Sequence, residues 1–66
     1  EEEVELTLTF SYQKMHFVMD FLKEEKIQIL DQSLEAVCAV KILVSKQLEA
    51  TVKARIAQII GVPLNG

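Results

Sequence analysis

Very little in this sequence punctuates or staples the chain. Its 66 residues include one cysteine, one histidine, one proline, two glycines and no tryptophan. A single cysteine excludes an internal disulfide, and no repeated Cys/His spacing offers a structural zinc in its place. With Gly61 and Gly66 as its only glycines, the chain has no glycine-rich loop to cradle a phosphate. No run approaches the roughly 20 uncharged apolar residues that span a bilayer, and the acidic N-terminus is opposite to a signal peptide. Basic charge is scarce too, since seven Lys and Arg against ten Asp and Glu leave a net charge of −3. Such a balance lacks the concentrated positive surface that sequence-independent nucleic-acid binding requires. A cytoplasmic setting without membrane contact is the expectation.

What is present is apolar. Hydrophobic residues make up 50% of the chain, enough for a collapsed globule rather than a disordered tail. The length suits one small domain, which at this size buries only about 60% of the surface its unfolded chain exposes. Its core is therefore marginal unless packing, self-association or a neighbouring domain adds to it. The opening Glu1-Glu2-Glu3, without an initiator methionine, leads us to expect a piece cut from a longer protein.

Local patterning is clear at both ends and weaker between. Val4, Leu6, Leu8, Phe10 and Tyr12 alternate with Glu3, Glu5, Thr7, Thr9 and Ser11. That period of two predicts a strand over 3–12 with one wet face. From about 13 to 25 the period changes. Met15, Val18, Phe21 and Leu22, flanked by Phe17, form one stripe opposite Lys14, Asp20, Lys23 and Glu24, which predicts a helix starting at Tyr12 or Gln13 with Ser11 near its N-cap. Ile27 and Ile29 alternate with Gln28 in a short strand near 27–31, and Asp31-Gln32-Ser33 is turn-prone.

The next segment is apolar on both parities. Ala36, Cys38, Val40, Ile42 and Val44 occupy one, while Val37, Ala39, Lys41 and Leu43 occupy the other. A strand of this kind is central in its sheet or has its second face covered by something else. Ser45 or Lys46 then opens a second helix with Leu48, Val52, Ile56, Ile59 and Ile60 on one stripe; Gly61, followed by Pro63, ends it.

Strand, helix, strand, strand, helix is the α+β, ferredoxin-like order β-α-β-β-α with its final strand short or missing. It predicts an antiparallel sheet with both helices on one face. A right-handed crossover joins the first two strands, and the third inserts between them. The core is then Val4, Leu6, Leu8 and Phe10 against Ala36, Cys38, Val40 and Ile42. Thr7 and Thr9 lie beside Val37, Ala39, Lys41 and Leu43 on the opposite face, with Lys41 placed to pair with Glu3 or Glu5. The edge of the first strand, where a fourth would pair, is left open to another chain.

The run Leu6-Thr7-Leu8-Thr9-Phe10-Ser11-Tyr12, a helix, Ile29-Leu30-Asp31-Gln32, a strand, then Leu48-Glu49-Ala50, Ala54-Arg55-Ile56-Ala57 and Gly61 carry a resemblance over nearly the whole chain. In them the sequence resembles the small C-terminal domain of bacterial YigZ/IMPACT-type proteins. The resemblance implies a ferredoxin-like fold similar to the C-terminal domain of elongation factor G, following a larger N-terminal domain. It also implies a link to translation control or nucleic-acid binding, with no functional residue to carry over. Family members continue into a last strand after the helix-terminal glycine, whereas here only Val62 to Gly66 follow.

Individual residues point away from chemistry. A nucleophilic Cys38 needs an electropositive, accessible site and a base, but mid-strand on an apolar parity it is a core cysteine. His16 has no companion at metal spacing and reads as a helix-flank residue. Glu1, Glu2, Glu3 and Glu5 read as solvated charge, and Asp31 with Glu35 offers no enclosed carboxylate pair. Lys46, Lys53 and Arg55 make at most a modest basic patch on the second helix. The sheet face carries no aromatic ring on which a base could stack. No Cys-x-x-Cys pair serves a metal carrier, and Gln13-Lys14 stand where an acylphosphatase-type loop needs arginine.

No catalytic, cofactor or metal site is therefore expected. The candidate site is an interaction face of Val37, Ala39, Lys41, Leu43, Thr7 and Thr9. Its partner is a neighbouring domain of the parent chain or a second copy in a homodimer, with RNA a weakly supported third. The alternative from another class is an ACT-like regulatory module that binds a small ligand.

Overall fold

The computed structural model describes residues 2–61. The question of a final strand, together with Glu1 and Pro63, lies outside the described residues. The architecture is α+β, a three-stranded antiparallel sheet with two helices, compatible with the ferredoxin-like pattern. Strand β1 (Glu3–Ser11) leads into helix α1 (Tyr12–Glu24). Strands β2 (Gln28–Leu34) and β3 (Val37–Ser45) follow, then a single 3-10 turn over Lys46–Leu48 and helix α2 (Glu49–Ile60).

The sheet order is β1-β3-β2, so β3 is central, one of the two arrangements its apolar parities allow. It runs antiparallel to both neighbours, which makes β1 and β2 parallel to each other. The β1–β3 register is unbroken from Glu3 opposite Ser45 to Ser11 opposite Val37. Leu6, Leu8, Phe10, Cys38, Val40, Ile42 and Val44 all point to one face. There they pack with Val18, Phe21 and Leu22 of α1 and Val52 and Ile56 of α2 in a single core, so both helices cover the same side.

Helix α1 ends without glycine. Lys26 takes a left-handed φ of 56°, its N–H donates to the Lys23 carbonyl at 3.1 Å, and the Ile27 N–H donates to the Leu22 carbonyl at 2.9 Å. These are the two hydrogen bonds of a Schellman cap, and Ile27 packs on the core beside it. Helix α2 ends as its sequence predicts. Gly61 sits at φ 82° and donates its N–H to the Ala57 carbonyl at 2.8 Å.

Several expectations are corrected. Asp31, Gln32 and Ser33 are strand rather than turn, because the register with β3 shifts between Ile29 and Asp31 and the strand continues to Leu34. The shift leaves Leu30 as one extra residue, a bulge that moves the core-facing parity from Ile29 to Leu34. Ala36 is exposed instead of core, since it lies in the two-residue link before β3, where its carbonyl accepts the Tyr12 N–H at 3.1 Å. Tyr12 begins the helix, one of the two starts expected, and is exposed rather than on the apolar face of β1.

Leu48 leaves the α2 stripe and is exposed. The tighter 3-10 turn rotates it off the face that Val52 and Ile56 bury. Phe17 likewise points outward, while Met15 and Met19 fill its place against the core. Ser11 and Ser45 flank the helical segments, but neither side chain makes a capping hydrogen bond.

Candidate interaction face

The pleat that buries the even-numbered residues of β1 and β3 leaves their odd-numbered ones on the opposite face. Facing pairs there are Glu5 with Leu43, Thr7 with Lys41, Thr9 with Ala39 and Ser11 with Val37. All six residues of the predicted face are thus brought together on β1 and β3. Thr7, Thr9 and Lys41 are exposed, Ala39 and Leu43 half-buried, and Val37 is 70% exposed. Neither helix packs against this side, because every buried residue of the sheet points the other way.

Strand β2 adds residues that sequence reasoning did not assign to the face. The register sets Gln28 opposite Leu43, Asp31 opposite Lys41, and Ser33 opposite Ala39. Lys41 therefore lies between Thr7 and Asp31, while Glu5 and Glu3 face Leu43 and Ser45. The expected pairing of Lys41 with Glu3 or Glu5 is replaced by a place beside Asp31. Thr7, Asp31, Gln32, Ser33, Ala39 and Lys41 line a shallow depression of about 130 Å³. One Asp31 carboxylate oxygen accepts the Gln32 N–H at 2.8 Å. The only hint in the sequence was that Leu34 resumes the apolar pattern one residue out of step with Ile27 and Ile29, as a bulge requires.

The residues weighed for chemistry are not brought together. Cys38 is fully buried, and its thiol donates to the Glu35 carbonyl at 3.3 Å. His16 sits on the outer side of α1 with its side chain 78% exposed. Its Nε2 lies 3.3 Å from the Asp20 carboxylate, and its ring meets Phe17 edge-on at 5.9 Å. Among the described residues no group of three His, Cys, Asp or Glu could hold a metal ion.

The basic residues expected on the second helix are each engaged. Lys46 lies in the 3-10 turn, 3.8 Å from Glu2, Lys53 pairs with Glu49 at 3.1 Å, and the Arg55 guanidinium stands 5.2 Å over the Phe21 ring. No helix among the described residues is long and apolar enough to cross a membrane.

No family model, no curated protein and no solved structure matches this chain.

Proposed function

We propose that this is a non-enzymatic accessory domain of ferredoxin-like type that docks through its open sheet face onto a neighbouring domain of a longer, cytoplasmic protein. The observation that carries the reading is the unequal treatment of the two sheet faces. One is sealed by both helices, and the other presents Val37, Ala39 and Leu43 around a single cation, Lys41. Apolar side chains rimmed by hydroxyls, carboxylates and one cation suit a protein surface better than a nucleic acid, whose phosphates need several cations and whose bases need rings. The similarity to the C-terminal domain of YigZ/IMPACT-type proteins is in keeping with an accessory role beside a larger domain.

Lysine footprinting tests this. In a longer chain that carries the domain, Lys41 should be protected from an amine-reactive reagent relative to the isolated 66 residues, while Lys14 reacts equally in both. Equal reactivity of Lys41 in the two overturns the reading. Retention of the isolated domain on mixed RNA at low salt would move the function to nucleic acid. A rise in melting temperature with a free amino acid would move it to ACT-like ligand binding.

A further inference from the structure

The two edges of the sheet are not alike. β2 is interrupted by the bulge at Leu30 and carries Asp31, Gln32 and Ser33 in mid-strand, features that spoil an edge as a template for another strand. β1 has no such interruption. It runs nine residues in one register, contains no proline, lysine or arginine, and has no partner on its outer side among the described residues. Its only charges, Glu3 and Glu5, are both at one end, two of its three hydroxyls, Thr9 and Ser11, are at the other, and Thr7 is in the middle.

That arrangement is self-complementary. We propose that two copies of this chain pair antiparallel through β1, with Thr7 facing Thr7 on the two-fold axis, to form one continuous six-stranded sheet. In this register Glu3 faces Ser11, Val4 faces Phe10, Glu5 faces Thr9, and Leu6 faces Leu8. Every acidic residue meets a hydroxyl, every core-side residue meets a core-side residue, and the helices of both copies lie on the same side. A shift by two residues in either direction keeps the faces but shortens the ladder from nine pairs to seven. A shift by four toward the N-terminal end sets Glu5 against Glu5. Parallel pairing in register stacks like charge on like charge, which costs stability. The pairing is made by the backbone edge of β1, whose odd-numbered side chains, Thr7 and Thr9 among them, also lie on the open face, and the inference stands without that reading.

The test is a pair of substitutions whose effects on self-association have opposite signs. Sedimentation equilibrium of the 66-residue chain should show a monomer–dimer equilibrium, with a dissociation constant between about 10 μM and 1 mM for a small interface of this kind. Thr9→Lys faces Ala39 within the copy and Glu5 of the other copy, so it adds two opposite-charge pairs per dimer. It should tighten association by up to about thirtyfold, with the gain lost in a Glu5→Gln background or at high salt. Thr7→Glu faces Lys41 within the copy, which preserves the fold, but sets two carboxylates together on the axis. It should weaken association by up to about fivefold. Thermal melts of both variants confirm folding. A chain that stays monomeric to about 1 mM overturns the proposal. So does a dimer that Thr9→Lys fails to tighten or Thr7→Glu fails to weaken, because that dimer uses another surface.

Discussion

Val37 and Ile42 sit on one strand and meet opposite environments. Ile42 is fully buried between sheet and helices, whereas Val37 is 70% exposed. Truncating Ile42 to alanine removes buried methyl groups and leaves a cavity, a cost of about 2–5 kcal/mol. Stabilities of about 0.05–0.15 kcal/mol per residue make that a large part of what a domain of this size has. Val37→Ala should change stability by less than about 0.5 kcal/mol, as surface substitutions do. Urea unfolding of the two variants checks the contrast, with Ile42→Val at about 0.5–1.5 kcal/mol as the milder substitution if Ile42→Ala does not fold. Cys38 is as buried as Ile42, so a thiol reagent should label it only when the chain is unfolded. Rapid labelling of the native protein would show that the site opens. The parity of these residues was legible from alternation alone, and so was the burial of Cys38.

The two helix ends show how far an element can be read from its own residues. Gly61 stood out because glycine is the residue that takes a left-handed φ without a Cβ penalty. Nothing lies within 4 Å of where a Cβ would be, so Gly61→Ala should cost only the conformational term, about 1 kcal/mol, seen as a lower melting temperature. Lys26 offers no such signal. Its left-handed conformation is held by the two Schellman hydrogen bonds and by Ile27 packing on the core. Lys26→Gly should relieve the strain and, after the greater freedom of glycine in the unfolded chain, stabilise by up to about 1 kcal/mol. A clear loss on that substitution would mean that the lysine side chain contributes through contacts of its own. β2 was equally hard to read. Its bulge breaks the period of two that marks a strand, and its turn-prone residues are held extended by β3 rather than by their own preferences.

At the scale of the molecule, stability is unevenly spread. β3 is hydrogen-bonded on both sides and supplies four core residues, while every residue of β2 except Leu34 is exposed. Amide exchange should therefore release β2 first and β3 last. Uniform protection across the three strands would contradict this distribution. By itself the sequence determined the element types, the wet and dry parities of β1 and β3, the central place of β3 and the glycine-ended helix. Backbone geometry imposes periods of two and 3.6 on any chain that buries one side. Only the tertiary structure decided the rest, namely the bulge in β2, Asp31 rather than a glutamate beside Lys41, the exposure of Ala36 and Leu48, and the contrast between the two sheet edges. Those depend on the register between paired strands and on the geometry of the links between elements, where one residue more or less turns a side chain from core to solvent.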